Sequence, residues 1–360
     1  MRIGLVRRGY SGSGGAEAYL TRFAAALLAA GHECVLFTST DWPQKAWPAD
    51  RFEYLRAKSP IEFANALEQV KASVNCDLVF SLERVWECDC FRAGDGIHRA
   101  WLQRRKLIEP FWKGWIRTVF NRKHHELLTL ESHLFSKRGA GIVIANSLMV
   151  KQEIIQYHHY PAERIHVVYN GVPSCAAPPE LRLQTRRQLG LSEFDYVVLF
   201  AGSGWERKGL KFAIEGIKRA NLSRPLLLVA GRGNPKKYSA SRRVRFLGPI
   251  KDMRPYYAAA DVFILPTVYD PFSNACLEAL SAGLPVITTT ANGFSEIVKP
   301  GMEGEVLDDP SDSEALARAI EAWSDPERRA CIKPQLLDLA AQFSVEANVR
   351  ATLEVIQAEK

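Results

Sequence analysis

Two acidic residues, Asp270 and Glu278, lie eight positions apart in the segment YDPFSNACLEALSAGLPVITT, residues 269–289. The residues around Glu278 are small and apolar and predict a packed helix, in which an unpaired carboxylate is costly to bury. Asp270 precedes Pro271, which predicts an N-cap followed by a proline in the first turn. Eight residues of one helix span about 12 Å. The two carboxylates are therefore candidates to bind the hydroxyls of a sugar and of a ribose at the two ends of a diphosphate.

A pair of cations, Arg207 and Lys208, follows the apolar run YVVLF in the segment FAGSGWERKGLKFAIEGI. A strand that leads through a glycine loop into a helix places such cations at the carboxyl edge of a sheet, where they can hold a pyrophosphate. A solvated turn explains the same pattern equally well.

A glycine loop also follows the first predicted strand, in MRIGLVRRGYSGSGGAE. Free N–H groups and the dipole of the following helix favour an anion there. The next strand, CVLFTS, ends in Thr38 and Ser39 and lacks the acidic residue that binds a dinucleotide ribose, which disfavours NAD(P). A tight turn that needs glycine for its geometry alone is the alternative.

The segment FRAGDGIHRAW places Asp95 and His98 in a glycine-broken loop, on the side where an acceptor is expected to enter. Asp95 is a candidate to orient or deprotonate an acceptor hydroxyl, although a glycine-flanked aspartate is more often a turn former. The histidines of the chain lack zinc-ligand spacing, and no metal site is predicted.

The order of the predicted elements indicates an α/β protein with two domains. A chain of 360 residues suits two domains of about 150 to 200 residues each. Apolar strands alternate with helices in both halves, which predicts two doubly wound, Rossmann-like domains with a ligand cleft between them. The linker is placed at VVYNGVPSCAAPPELR. We predict an N-terminal domain over 1–170, a C-terminal domain over 171–344, and a final helix over 345–360 that packs back on the first domain. The remaining predicted strands are DLVFSL, GIVIANS, PLLLVAGRG, VRFLG, DVFILP and LPVITT.

Six segments together resemble the retaining glycosyltransferases of the GT-B type, in family 4 (glycosyl transferases group 1). They are GSGGAE, VIANS, VVYNGV, ERKGL, YDPFSNACLEALSAGLPVITT and GFSEIVKPGMEGEVL, and the resemblance covers nearly the whole chain. This family includes sucrose synthases, mannosyltransferases and the lipopolysaccharide core glucosyltransferases. The resemblance implies a GT-B fold, a nucleotide-sugar donor, no cofactor and no metal.

The resemblance also implies roles for single residues. Glu278 would bind the donor ribose, and Asp270, which replaces a family glutamate, would contact the donor sugar. Arg207 and Lys208 would neutralise the leaving diphosphate. The remaining candidates are Gly14 and Gly15, which would approach the phosphates; Ser203, where many members have an arginine; Ser273 and Asn274 in the donor site; and His98, since many members place a histidine near the donor sugar.

A basic, aromatic segment spans residues 99–123, RAWLQRRKLIEPFWKGWIRTVFNRK, in a chain of formal net charge +7. Cations interleaved with Trp101, Phe111, Trp112, Trp115 and Phe120 suit an anionic membrane surface. The lipopolysaccharide core glucosyltransferases have a membrane-interacting segment in a comparable place. There are two alternatives. The segment could be a packed helical insertion with a solvated basic face, or it could bind RNA, whose bases would stack on the aromatic side chains.

These observations predict a retaining, metal-independent hexosyltransferase that moves glucose from UDP-glucose onto a lipid-linked saccharide such as the lipopolysaccharide inner core. A capsule or glycolipid transferase that uses another nucleotide sugar is the alternative within the class. A non-catalytic basic module that binds lipid or RNA is the alternative outside it. No apolar run approaches the roughly 20 residues of a membrane span, and the N-terminus lacks the apolar region of a signal peptide. We therefore expect a cytoplasmic protein at the inner face of the membrane.

Overall fold

The chain divides into two units in a computed structural model. One unit comprises Met1–Tyr169 and Asn348–Lys360, and the other comprises Asn170–Ala347. The structure describes residues 1–10, 15–39, 41–49, 51–108, 121–238 and 241–358. The boundary between the units lies within VVYNGVPSCAAPPELR, and the last thirteen residues group with the first unit.

The first unit contains a seven-stranded sheet in which every pair of neighbouring strands is parallel. Its strands are β1 (Arg2–Val6), β2 (Glu33–Thr38), β3 (Phe52–Tyr54), β4 (Leu78–Ser81), β5 (Cys88–Ala93), β6 (Ala140–Ala145) and β7 (Ile165–Val167). Its helices are α1 (Gly15–Ala29), α2 (Pro60–Val74), α3 (His98–Arg104), α4 (Arg122–Leu134) and α5 (Leu148–His158), with 3₁₀ turns at Gln44–Ala46, Arg105–Leu107 and Ala162–Arg164.

The second unit repeats this plan with six parallel strands. They are β8 (Tyr196–Ala201), β9 (Pro225–Ala230), β10 (Val244–Gly248), β11 (Val262–Leu265), β12 (Val286–Thr289) and β13 (Gly304–Leu307). The helices are α6 (Pro179–Gln188), α7 (Leu210–Arg219), α8 (Arg254–Ala259), α9 (Asn274–Ser281), α10 (Ser313–Ala322) and α11 (Pro326–Ala341), with 3₁₀ turns at Pro235–Lys237 and Gly293–Ile297. Helix α12 (Val345–Ala358) bridges the unit boundary in sequence.

Both sheets have a doubly wound strand order. The first runs β3-β2-β1-β4-β5-β6-β7 and the second β10-β9-β8-β11-β12-β13. In such a sheet the order reverses direction at one point, and ligands bind beyond the carboxyl ends of the strands there. That switch point lies between β1 and β4 in the first unit and between β8 and β11 in the second. The α/β class is confirmed by these two parallel sheets and their helices.

The fully buried strands are those that the sequence predicted. All six residues of β8 and all four residues of β11 are buried, because helices cover both faces of a parallel sheet. Four strands were not predicted. β3 and β7 have only three residues each, and β13 begins and ends with buried residues around two half-buried ones. β5 contains Asp89 and Arg92, which interrupt its apolar pattern.

Candidate functional site

The loops that leave β8 and β11 bring three predicted residues together at the switch point of the second unit. Arg207 and Lys208 follow β8, and Asp270 follows β11. Nζ of Lys208 donates a hydrogen bond to Oδ2 of Asp270 in a close ion pair. Nη1 of Arg207 lies 3.7 Å from the same oxygen and donates to the carbonyl of Tyr269 at 2.7 Å. Two cations and one carboxylate therefore lie within a few ångströms of one another.

Local backbone geometry holds the two cations at the exit of β11. Gly209 has a φ of +77°, and a Cβ at this position would overlap the carbonyl oxygen of Pro266, so only glycine fits. The carbonyl of Arg207 accepts hydrogen bonds from N of Val268 at 3.0 Å and from Oγ1 of Thr267 at 2.8 Å. The turn after β8 is thus attached to the chain that leaves β11.

Asp270 is buried, with 5% of its surface exposed. Burial alone would raise the pKa of this carboxyl, but the charges of Lys208 and Arg207 and a hydrogen bond from N of Phe272 lower it below its ordinary value. The carboxylate therefore stays ionised beside the cations. It can accept hydrogen bonds from hydroxyls and hold both cations in position.

The predicted capping role of Asp270 is wrong. Helix α9 begins at Asn274, and its N-cap is Ser273, whose hydroxyl accepts a hydrogen bond from N of Cys276. Asp270 instead pairs through its backbone with the segment after β12, where it accepts from N of Gly293 and donates to the carbonyl of Ala291, both at 2.9 Å. The predicted separation of about 12 Å between Asp270 and Glu278 assumed one continuous helix. Because the helix begins at Asn274, the helical rise applies only to the residues from Asn274 to Glu278.

Glu278 is half-buried in α9 and has a hydrogen-bonding partner from α8. The hydroxyl of Tyr257 donates to Oε2 of Glu278 at 2.8 Å. Tyr257 is 1% exposed, and burial together with the adjacent carboxylate raises its pKa well above the ordinary value. The phenol therefore remains a donor, and it stabilises a carboxylate that the apolar sequence around it does not explain.

The three other predicted donor-site residues occupy different environments. Ser203 is exposed, and its hydroxyl accepts from N of Arg232 at 3.4 Å. Ser273 is fully buried and caps α9. Oδ1 of Asn274 accepts from Nδ2 of Asn170 at 2.8 Å. Of these three side chains, only that of Ser203 is exposed.

In the first unit, Arg7 connects the loops at the switch point. Its guanidinium contacts Glu17 at 3.0 Å, Glu83 at 3.2 Å and Asp95 at 3.3 Å. Asp95 keeps 56% of its side chain exposed, and Arg7 offsets part of its charge. Gly15 is the first residue of α1, whereas Gly14 lies outside the described residues.

His98 opens α3, and a buried carboxylate from α4 holds it there. Glu131 is fully buried and accepts hydrogen bonds from N of His98 at 2.6 Å and from N of Arg99 at 3.1 Å. Nε of Arg84 donates to the same carboxylate at 2.9 Å, and Nε2 of His158 lies 3.4 Å away. The two backbone contacts satisfy two of the free N–H groups at the start of the helix.

The environment of His98 favours its neutral form. Burial, together with the charge of Arg84, lowers the pKa of His98 to about 4, against an opposing effect of Glu131. The environment of Glu131, by contrast, favours its charged form. Burial raises its pKa, but Arg84, His158 and the two backbone N–H groups lower it to about 2.

Part of the predicted membrane segment is described. Residues 109–120, which include Phe111, Trp112, Trp115 and Phe120, lie outside the described residues. Arg105 is buried, and Arg104 lies 3.5 Å from the carboxylate of Glu153. Arg99 and Lys106 are exposed. Of these four cations, the last two are the ones available to a surface.

Sequence reasoning missed Tyr257, Arg7, Arg84 and Glu131 as parts of these clusters, and also His124, whose Nδ1 lies 3.0 Å from Nε2 of His98. A signal existed for Glu131, because it lies among leucines in ELLTLESHL and poses the same problem of a buried charge as Glu278. The other four have no local signal, since their partners are distant in the chain.

Two general features concern membranes and metals. None of the described helices is long and apolar enough to cross a membrane. In the part of the chain that the structure describes, no three His, Cys, Asp or Glu side chains are grouped to hold a metal ion.

Family models match both halves of the chain. The model for Glycosyltransferase Family 4 matches residues 13–174, and the model for Glycosyl transferases group 1 matches residues 195–325. Together they cover most of the sequence.

The relatives that match this chain in sequence include proteins named as glycosyltransferases. The chain is 29% identical over 177 residues to the uncharacterized glycosyltransferase MJ1607 of Methanocaldococcus jannaschii, a match that covers 45% of each chain. It is 28% identical over 267 residues to the lipopolysaccharide core biosynthesis glycosyltransferase LpsE of Rhizobium meliloti, which covers 71% of this chain and 74% of LpsE. The chain spans about half the length of the first of these relatives.

Solved structures share the fold over the full length. WaaG, a glycosyltransferase involved in lipopolysaccharide biosynthesis, superposes with a TM-score of 0.82 at 20% identity, over 98% of this chain and 99% of WaaG. HepE of Anabaena in complex with UDP-glucose superposes with a TM-score of 0.76 at 20% identity, over 99% of this chain and 100% of HepE. At these identities the likeness shows the fold alone, and it confirms the predicted GT-B architecture.

Proposed function

The chain belongs to the family 4 glycosyltransferases, and from this premise we propose that it moves glucose from UDP-glucose, with retention, onto a lipid-linked saccharide. The acceptor is a phosphorylated or anionic one such as the lipopolysaccharide inner core, and the reaction needs no metal. LpsE belongs to lipopolysaccharide core biosynthesis and WaaG is involved in lipopolysaccharide biosynthesis, which supports the acceptor class. The complex of HepE with UDP-glucose supports the donor.

The observation that carries this proposal is the cluster of Arg207, Lys208 and Asp270 at the switch point between β8 and β11. Cleavage of the bond between the sugar and the diphosphate develops negative charge on the departing oxygen. Preorganised cations stabilise this charge without reorganisation during the reaction. In the proposed mechanism Arg207 and Lys208 bind the diphosphate, and they take the place that a divalent metal fills elsewhere.

Asp270 has a second task in this mechanism. The carboxylate holds both cations before the donor binds. Because their side chains are already ordered, little conformational entropy is lost when the diphosphate binds. The same carboxylate accepts a hydrogen bond from a hydroxyl of the donor sugar. The carboxylate of Glu278, which Tyr257 orients, accepts hydrogen bonds from the two ribose hydroxyls.

Binding of UDP tests the nucleoside contact. We expect UDP to bind the wild-type protein equally well with and without EDTA, and the Glu278→Gln variant to bind it at least about tenfold more weakly, because hydrogen bonds to a charged group contribute about 1.5–3 kcal/mol each. Glutamine keeps an acceptor for Tyr257, so the buried phenol remains satisfied. Calorimetric titration measures both affinities.

Glu314 on α10 is the matched control, since its side chain is 74% exposed and Glu314→Gln is expected to leave the affinity for UDP unchanged. Equal weakening in both variants would contradict the ribose contact. Tight binding of another nucleotide in place of UDP would retain the fold and change the donor. No binding of any nucleotide would favour a non-catalytic basic module.

The proposed association with anionic membranes has a separate test. We expect the protein to sediment with vesicles that contain anionic lipid and not with neutral vesicles. The double variant Arg99→Gln/Lys106→Gln is expected to bind about 30-fold more weakly, since each cation near the surface contributes about 1 kcal/mol.

Lys137 and Arg138 supply the control for this experiment, because they are an exposed lysine and arginine of the same unit. Their double glutamine variant removes the same charge from another place. If both double variants lose the same affinity, the attraction is non-specific, and if the wild type does not bind at low salt, the membrane proposal is wrong.

A further inference from the structure

Three side chains of the first unit form a chain of hydrogen bonds that ends at His98. Nη1 of Arg105 lies 3.3 Å from Nε2 of His124. Nδ1 of His124 lies 3.0 Å from Nε2 of His98. Arg105 is buried, and both imidazoles are half-buried. The three residues come from α3, α4 and the 3₁₀ turn between them.

The chemistry of these groups allows only one arrangement of protons. A guanidinium is always charged and can only donate, so Nε2 of His124 must accept. The proton of His124 is then on Nδ1, which donates to Nε2 of His98. Because that nitrogen accepts, the proton of His98 is on its own Nδ1. Both imidazoles are neutral in this arrangement, since a protonated ring has no acceptor nitrogen.

We propose that Arg105 and His124 are positioning residues that fix the tautomer of His98, so that His98 presents an Nδ1–H donor to a substrate oxygen. This proposal rests on the proposed glycosyl transfer. Within the described residues, no acceptor contacts Nδ1 of His98. A sugar hydroxyl or another substrate oxygen can fill that position.

The arrangement also excludes one role for His98. Its acceptor nitrogen is occupied by His124, and its other nitrogen carries a proton. The imidazole therefore cannot remove a proton from an acceptor hydroxyl while the chain of hydrogen bonds is intact. His98 acts by donating a hydrogen bond and leaves proton transfer to another group.

One further contact keeps His98 in place. Glu131 binds the backbone N–H of His98 at 2.6 Å, which fixes the first turn of α3. The charged groups that act on the ring are Arg84, Glu131 and Lys123. The neutral state that the hydrogen bonds require agrees with the lowered pKa of His98.

Nitrogen-15 spectroscopy of the histidine rings in the full-length protein tests this directly and needs no substrate. At neutral pH we expect His98 and His124 to be neutral with the proton on Nδ1, with signals assigned through His98→Gln and His124→Asn. A proton on Nε2 of His98, or a charged ring at either position, would overturn the proposal.

Substitution of His124 tests the positioning role. His124→Leu removes the donor, and we expect His98 to become a mixture of tautomers and kcat/KM for sugar transfer to fall about tenfold. His124→Asn places an amide N–H near the lost Nδ1–H and is expected to restore both. His125, the exposed neighbour on α4, is the control, and His125→Leu should change neither.

The outcomes separate this proposal from the proposed function. An unchanged tautomer of His98 in His124→Leu overturns the positioning role even if UDP binds. Failure of the wild type to bind any nucleotide contradicts the proposed function whatever the tautomer is. If His124→Leu fails to fold, the wild-type spectrum alone still decides whether the hydrogen-bond chain exists.

Discussion

Replacement of Lys208 by methionine is expected to lower kcat for sugar transfer from UDP-glucose by a factor on the order of 10² to 10³, the usual effect of removing one preorganised group that stabilises transition-state charge. Methionine keeps much of the volume of the side chain, which is 11% exposed. It removes the ammonium group that lies against Asp270. Steady-state assays of UDP release in the presence of EDTA measure the change.

Lys208 also compensates the buried charge of Asp270, so a loss of stability must be separated from a loss of catalysis. The double variant Lys208→Met/Asp270→Asn removes both charges and is expected to fold without recovering activity. Lys237 provides the matched control, because it is a lysine of the same unit with 63% of its side chain exposed, paired with Glu206 at 2.8 Å. Lys237→Met should leave kcat unchanged.

A decrease in kcat of less than a few-fold for Lys208→Met would contradict the role of this cation at the leaving diphosphate. A selective increase in KM at constant kcat would also count against it. That pattern indicates equal binding of ground state and transition state.

Replacement of Glu131 by glutamine is expected to lower the free energy of unfolding at neutral pH by about 3 kcal/mol, because a carboxyl whose pKa falls from an ordinary 4.5 to about 2 on folding stabilises the folded state by that amount. The folded pKa is lowered, so this stabilisation is present above the unfolded pKa and is lost as the pH falls. The difference between wild type and variant should be constant above about pH 5.5 and should shrink from about pH 4.5 towards pH 2.

Urea denaturation of both proteins at several pH values measures this difference. Glu215, whose side chain is 45% exposed and paired with Lys218 at 3.1 Å, is the control. A surface pair of this kind contributes about 0–1 kcal/mol. A difference for Glu131→Gln that does not change with pH would show that the carboxylate charge is not what stabilises the start of α3.

The parallel sheets are the part of the fold that the sequence predicted best. Strands buried on both faces are continuous apolar runs, and β8, β9 and β11 are of this kind. β5 was missed because Asp89 and Arg92 break its pattern. The structure explains both residues, since Asp89 accepts from N of Val79 at 2.6 Å and Arg92 lies 4.2 Å from the ring centroid of Tyr19.

The start of α9 shows the limit of local patterns. Asp270 and Ser273 are both favourable N-cap residues, and the sequence does not distinguish them. The chain after β12 decides, because it pairs with the backbone of Asp270 and leaves the capping position to Ser273. The carboxylate of Asp270 is then directed to Lys208 rather than to the helix start.

By itself, then, the sequence determined the alternation of strands and helices, the two-domain plan and the motif residues Arg207, Lys208, Asp270 and Glu278. These depend on local composition and on resemblance along the chain. Only the tertiary structure decided the partners: the contact of Lys208 with Asp270 across 62 positions, and the contacts that Tyr257 and Glu131 make. Hydrogen bonds and ion pairs act over a few ångströms, whereas the order of strands in the sheets brings together residues that are far apart in sequence.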